Sequence, residues 1–498
     1  MAWWQPAGFV ALVLAYAVVH LVLRLALSTA LTIDDSREAM FAQTLEWGYQ
    51  ARQPPLYNWL VWGAVRLFGV GVVALTFVKY ALLGLTYLFV YLSGRRVLPE
   101  PRLAALAAFA LLLMVPLTWV VHEALTHSIA VLTAAAATFY ALLRVEASGS
   151  RRAYAALGLP LALGFLSKFS FALFAGALLL ASLTVDRFRA RILHPRALWT
   201  AAVAVLLLLP FGLWFYQHDF SLGRIYHEEV DPGEPDPWLT GVASAVYYMA
   251  RVTFYYLTPL WLVFLVLFPE GWRSKAAGAA EVPAHRLLER FFFAELAILL
   301  AGALFGGLTY LKFRWLMPAY FLFPLYFLSR LDPRAVGAAR TRRLAAILLA
   351  AALLVVAAFV ASIVRGDRLG RASHLNAPYR ALADQIAAAG FTGGTIAAGE
   401  GAVAGNLKLR FPGSRVIRIT NPDYVPARRG GGQCLIVWEK ERSETVPGEI
   451  REWLASALDV TLPGDVPVRV AEAKYDFARR QTHRVRYVLL PDGAGRCR

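Results

Sequence analysis

Residues 33–62 read IDDSREAMFAQTLEWGYQARQPPLYNWLVW, directly after an apolar run from Gly8 to Ala30. The stretch opens on two adjacent carboxylates, Asp34 and Asp35, continues with Arg37 and Glu38, and closes on Pro54-Pro55, Tyr57 and Trp59. The apolar run is long enough to cross a bilayer, too long for the core of a signal peptide, and lacks a small-residue cleavage site, so it reads as a retained first helix. An acidic loop stiffened by proline and walled by aromatics, at the mouth of a membrane helix, is the feature from which the rest of the reading proceeds. Trp47, Trp59 and Trp62 suit anchors at the bilayer interface, with one amphipathic stretch over Ser36 to Trp47 and a second from Pro55.

Outward from that loop the chain stays apolar. Of its 498 residues 58% are hydrophobic and only 17% charged, with a mean hydropathy of +0.53, well above a water-soluble composition. Candidate spans lie at 8–30, 71–93, 103–121, 126–144, 154–167, 169–185, 198–216, 242–268, 291–309, 315–329 and 344–364, about 11 helices, the pair flanking Lys168 being short for full spans. The charge of +17 would suit nucleic acid, but its placement argues for a membrane instead. Five basic loops, carrying Arg95/Arg96/Arg102, Arg144/Arg151/Arg152, Arg187/Arg189/Arg191/Arg196, Arg273/Lys275/Arg286/Arg290 and Arg330/Arg334/Arg340/Arg342/Arg343, fall on one side of these spans, which marks that side as cytoplasmic. The N-terminus is then cytoplasmic. The loop 31–70, the turn at Lys168, residues 217–241 and 310–314, and the C-terminal region lie outside, in the periplasm of a bacterial inner membrane.

Beyond residue 365 glycine, proline and charge rise and the apolar runs shorten. A helix over Pro378–Ala389, strands over Gly394–Ala398, Arg415–Thr420, Cys434–Glu439, Val466–Ala471 and Arg484–Leu490, and a helix over Pro447–Leu458 describe an extracytoplasmic α/β domain at 366–498. It follows a transmembrane domain at 1–365. The string GEGAVAG at 399–405 has neither the spacing nor the acidic partner of a dinucleotide loop and reads as a turn before a helix. The two cysteines, Cys434 and Cys497, either form a disulfide outside the cytoplasm or leave a buried thiol and a free one.

The chemistry concentrates on the outer face. An Asp before Ser-Arg-Glu-Ala can serve simply as a helix N-cap. Asp34 has a second possible role. It can also act as a base, because a carboxylate against a dry aromatic wall has a tunable acidity. Arg37, Arg52, Lys168, Arg224, Arg251, Lys312 and Arg314 place positive charge against the positive-inside trend, where a departing anion would need it. Snorkelling to the interface is the plainer role for Lys168 and Arg251. His122 and Glu123 sit in the loop before His127. His218, Asp219, His227, Glu228, Glu229 and Asp231 crowd another outer loop, either as an acidic solvated cover or as a divalent-metal site. No spacing establishes a cofactor, and a divalent metal is left open.

These motifs together resemble the GT-C membrane glycosyltransferases related to protein O-mannosyltransferases and to the lipid A aminoarabinose transferases. The loop 33–62 resembles their first external loop. GLPLALGFLSKFS at 158–170, LPFGLWFYQHDFS at 209–221 and KFRWLMPAYFLFPLYF at 312–327 resemble three further segments in the same order, so that the likeness covers roughly residues 8–365. The resemblance implies that Asp34 is the catalytic Asp, with Asp35 in place of the usual Glu, and that Arg37 contacts a lipid phosphate. Two departures stand out. Arg52-Gln53 replaces a Glu-Lys before Pro-Pro, and Thr126-His127 replaces a Thr-Asp.

The expected protein is therefore an inner-membrane glycosyltransferase. Asp34 and Asp35 are the catalytic candidates, and Arg37, Arg52, Lys168, Lys312 and Arg314 those for the donor phosphate. Gln53, Tyr57, His127, His218 and Asp219 are acceptor-side or loop candidates. The expected partners are a polyprenyl-phosphate-linked sugar, membrane lipids, and an envelope glycolipid (lipid A or LPS-like) or protein acceptor, with no nucleic acid. A single in-line displacement would invert the sugar carbon. The alternative is a transporter or flippase for lipid-linked saccharides. Against it stand the lack of an internal repeat and charges that lie at span ends. A non-catalytic assembly protein that docks through its tail is a third reading.

Overall fold

Proline in the first turn and a run that is apolar except for His20 and Arg24 form helix α1, Pro6–Leu27, in the computed structural model of the chain. The structure describes residues 2–230, 241–273, 283–332, 336–365, 368, 373–399, 401–427, 432–439, 445–478, 480–490 and 497. The polar loop folds into two helices, α2 (Ile33–Phe41) and α3 (Leu56–Phe68). The bundle continues with α4 (Val72–Val97), α5 (Pro101–Phe109), α6 (Thr126–Ser148), α7 (Arg151–Ser167), α8 (Phe171–Leu183), α9 (Asp186–Ile192) and α10 (Ala197–Gln217). After these come α11 (Leu222–Val230), α12 (Gly241–Leu267), α13 (Pro283–Phe305), α14 (Met317–Ser329) and α15 (Ala338–Val364).

The eleven apolar stretches are helical over most of their length. Among the described residues, six helices (α1, α4, α6, α10, α12 and α15) are individually long and apolar enough to cross a membrane, and two bent pairs raise this to at most 8. The bends are 81° where Pro101–Leu113 meets Pro116–Glu123 and 113° between α8 and α9. Length and composition thus support fewer crossings than the eleven expected. Helix α7 has only 17 residues, and α13 carries Glu289, Arg290 and Glu295. Charge is also not confined to span ends, because Lys79 in α4 and Glu295 in α13 are buried inside their helices. A charge inside the membrane is costly unless it faces a partner, and Lys79 does face one.

After α15 the chain builds a five-stranded sheet in the order β2-β1-β3-β5-β4. Its strands are β1 (Gly394–Ala398), β2 (Arg415–Arg418), β3 (Gln433–Trp438), β4 (Arg469–Lys474) and β5 (Thr482–Leu490). Strand β1 runs parallel to β2 and β3, while β5 is antiparallel to β3 and β4. The central β1 and β3 are mostly apolar and buried beyond their first residue, because both their faces are covered. The fourth strand begins at Arg469, three residues later than expected from the sequence. Helices α16 (Tyr379–Ala388), α17 (Val403–Arg410) and α18 (Gly448–Leu458) complete this region. The segment 399–405 is a turn running into α17, with Glu400 outside the described residues. One face of the sheet buries Ile436, Trp453 and Leu454, next to a disulfide between Cys434 and Cys497. The other face shares its core with Ala30, Met40, Phe41 and Tyr49 from the first loop. That loop is therefore held between the helical bundle and the sheet.

Candidate active site

Helix α2 is capped by Thr32, whose side-chain oxygen accepts from the Asp35 amide at 3.3 Å. The cap expected of an aspartate thus belongs to Thr32. Both aspartates are free for other contacts and lie in the first turn, where the helix dipole favours negative charge. Their partners differ. The buried Asp35 pairs with Lys79 of α4, whose Nζ lies 3.2 Å from Oδ1 and 3.3 Å from Oδ2. Asp34 stays partly accessible between two guanidinium groups, with Arg37 at 3.5 Å from Oδ1 and Arg314 at 3.7 Å from Oδ2. Burial alone would raise the Asp34 carboxyl. The charges of Arg37, Arg314, Lys79 and His127 outweigh it and hold the group below the usual carboxylate range.

Glu38, one helical turn beyond Asp34, is fully buried. Asn58 donates to its Oε2 at 2.5 Å, His127 Nε2 lies 3.3 Å from Oε1, and Arg37 Nε lies 3.6 Å from the same oxygen. The other ring nitrogen of His127 faces the Ser167 carbonyl at 3.3 Å and must donate to it. His127 and Glu38 therefore attract each other as an ion pair only when the ring carries both protons. Leu125, just before Thr126-His127, is fully buried at a φ of +73°. A branched side chain holds such a conformation only where its surroundings enforce it, so the backbone leading to His127 is fixed.

Beside this acidic group lies a cavity of about 840 Å³ whose lining includes Arg52, Gln53, Lys168, Lys312 and Arg314. Its far wall is apolar, with Phe169, Leu173, Ile298 and Leu299 from the α8 and α13 region. Arg37 reaches the cavity rim through Gln53, whose Oε1 accepts from it at 3.4 Å. Lys168, in the turn between α7 and α8, lies 3.3 Å from Ser128 Oγ. Desolvation, reinforced by the nearby Arg314 charge, lowers its ammonium to about 8. Lys312 pairs with Glu229 at 2.5 Å and sits over the Trp315 ring, while Arg314 sits over Phe313. A cluster of cations with an apolar wall suits the phosphate and the chain of a lipid phosphate.

Several expected site residues lie elsewhere. Tyr57 is fully buried, with its ring 5.5 Å from His127, and it does not line the cavity. His218 and Asp219 are exposed, and His218 Nδ1 donates to the Trp214 carbonyl at 2.8 Å. Neither lines the cavity, because α10 ends there and turns them to solvent. Of the acidic outer loop, Glu229 reaches the cavity, whereas Asp231 and the Glu228 side chain lie outside the described residues. Among the described residues no group of three or more His, Cys, Asp or Glu is placed to hold a metal ion. Conversely, Glu38 and Lys79 are central here and were not singled out in the sequence. The i, i+4 spacing from Asp34 to Glu38 and a lone lysine inside an apolar helix were the signals available.

A family model described as dolichyl-phosphate-mannose-protein mannosyltransferase matches residues 52–214. The chain is 32% identical over 473 residues to the lipopolysaccharide core galacturonosyltransferase RgtB of Rhizobium johnstonii, covering 94% of both chains. It is 29% identical over 459 residues to RgtA of the same organism, also a lipopolysaccharide core galacturonosyltransferase, covering 90% of both. Among solved structures, ArnT from Cupriavidus metallidurans in the apo state matches with a TM-score of 0.62 at 15% identity, covering 97% of this chain and 98% of that one. The same protein bound to undecaprenyl phosphate gives a TM-score of 0.61 at 15% identity.

Proposed function

The chain belongs to the GT-C family of membrane glycosyltransferases, together with the lipopolysaccharide core galacturonosyltransferases, and from that premise we propose that it glycosylates lipopolysaccharide with a sugar taken from a polyprenyl-phosphate donor. The proposed site of reaction is the periplasmic face of the inner membrane, and galacturonate is the sugar that the relatives' activity suggests. One observation carries the reading. Asp34 is wedged between Arg37 and Arg314 at the edge of a cavity that combines four cations with an apolar wall.

The chemistry follows from that placement. The donor's prenyl chain lies along the apolar wall, and its phosphate meets Arg52, Lys168, Lys312 and Arg314, with Arg37 at the rim. An acceptor hydroxyl gives its proton to Asp34 as its oxygen attacks the anomeric carbon from the side opposite the phosphate. The bond from that carbon to the phosphate oxygen breaks, and polyprenyl phosphate leaves with the electron pair. The configuration inverts. The cations stabilise the charge that builds on the leaving oxygen and act most strongly where water is excluded. Asp35 orients α2 through Lys79 and takes no proton itself.

Asp34→Asn keeps the shape and removes the base. The expected loss in kcat is on the order of 10²–10⁴-fold, with affinity for polyprenyl phosphate retained. In cells, the core oligosaccharide should lose the mass of one sugar. Transfer at the wild-type rate by Asp34→Asn would sink the mechanism.

A further inference from the structure

The residues behind α2 define a second layer of the site. At about 100° per residue, Ser36 lies roughly opposite Asp34 and Glu38 on the helix. It points into the C-terminal region, where its hydroxyl donates to the Ala402 carbonyl at 2.7 Å and accepts from the Gly405 amide at 2.8 Å. Two more side chains make the same kind of double contact with backbone across this boundary. Asn406 accepts from the Leu31 amide at 2.8 Å and donates to the Leu31 carbonyl at 3.1 Å. Gln43 accepts from the Val416 amide and donates to the Val416 carbonyl, both at 2.8 Å. All three side chains are buried, and they bracket Asp34 to Glu38 before, within and after.

The approach is as close as backbones allow. A Cβ on Gly405 would come within 2.1 Å of the Ser36 carbonyl oxygen, so only glycine permits the contact. The turn before α17 is fixed in turn by Glu439, whose Oε2 accepts from the Ala402 amide at 3.1 Å and whose Oε1 accepts from Tyr379 at 2.5 Å. A nine-residue helix such as α2 does not hold its own shape in water. Its orientation comes from what it docks against.

We propose that Ser36, Asn406 and Gly405 are positioning residues for the transfer step: the C-terminal domain clamps the back of α2 and sets the direction in which Asp34 points. This rests on the assignment of Asp34 as the base. The donor phosphate is held mainly by Arg52, Lys168, Lys312 and Arg314, none of which lies on α2. Loosening the clamp therefore misplaces the base and leaves donor binding in place. A displacement of about 1 Å at a reacting group can cost on the order of 100-fold in rate.

The test uses the full-length protein, with polyprenyl phosphate alone as the binding probe. Ser36→Ala removes one oxygen atom, and Gly405→Ala forces α17 off α2. Both should lower kcat at least tenfold, with lipid-phosphate affinity within about threefold of wild type. Added to Asp34→Asn, Ser36→Ala should cost less than threefold more, because a clamp that acts through Asp34 has nothing left to position. If Gly405→Ala does not fold, Ser36→Ala and Asn406→Leu carry the test. Wild-type kcat in Ser36→Ala would overturn the clamp, as would loss of affinity in step with rate or a full additional penalty on the Asp34→Asn background. Wild-type activity in Asp34→Asn would instead overturn the function on which the clamp rests.

Discussion

On the α2 side of the site the paired groups are closed off from solvent. The Lys79 and Asp35 side chains are 5% and 7% exposed, and those of His127 and Glu38 2% and 0%. On the cavity side Lys312 and Glu229 are 38% and 28% exposed, and Arg314 is 35% exposed. The two sides meet at Asp34 and serve different ends. Buried partners with few alternatives fix a geometry before any ligand arrives. Half-open cations can exchange their protein partners for a ligand at little cost. In the proposed reaction the acidic side sets where the proton goes, and the donor completes the cationic side.

This contrast breaks first at Lys79. Lys79→Met leaves the Asp35 carboxylate buried without its countercharge, a change that costs about 3–5 kcal/mol. The variant should unfold at a clearly lower temperature and lose most transfer activity. The double variant Lys79→Met/Asp35→Asn removes the stranded charge along with its partner and should recover most of the stability. Thermal unfolding of the purified single and double variants decides this. If Lys79→Met unfolds at the wild-type temperature, the acidic side is not the rigid half of the site.

The contrast sharpens with pH. Lys168 is held down to about 8 by desolvation and by Arg314, so it is charged below that pH and becomes neutral as pH rises through it. Donor KM should therefore rise several-fold above pH 8, which is less than the tenfold that one full charge-assisted contact is worth. Donor binding favours the ammonium form, so the corresponding limb in the complex moves to higher pH. Lys168→Arg stays charged throughout and should flatten the profile. Asp34 contributes nothing to this limb, because its neighbours hold it ionised across the whole range. A KM that is flat from pH 7 to 9.5 in the wild type would remove Lys168 from the donor pocket.

How much of this was legible in the sequence follows the same division. Arg52, Lys168, Lys312 and Arg314 stood out because cations on the outer face oppose the positive-inside trend, and the cavity gathers all four. The acidic side was harder to read. Glu38 looked like one more charge on a polar helix until Asn58 and His127 closed over it. Lys79 is hidden in an apolar run whose composition signals a span and nothing more. The clamp could not be read at all. Ser36 meets Gly405 across a separation of 369 residues, and no local pattern encodes a contact at that distance. His218 and Asp219 failed for the opposite reason. Their chemistry suited a site, but the end of α10 turns them to solvent.

The smallest expected effect lies at Glu229. Its carboxylate occupies Lys312 at 2.5 Å within the proposed donor cavity, where a donor phosphate would have to replace it. A half-exposed pair of this kind is worth about 0–1 kcal/mol, so displacing it costs the donor no more than about fivefold in affinity. Glu229→Gln keeps the shape of the α11 end and releases Lys312. Donor KM should fall by about two- to fivefold with kcat unchanged, and the gain should shrink as added salt screens the pair in the wild type. The sign makes this substitution decisive. Improved binding means that the cavity side is a set of cations awaiting an anion and holding a weak internal substitute. If Glu229→Gln instead abolishes transfer, Glu229 takes part in the reaction, the cavity is as fixed as α2, and the division between the two sides fails.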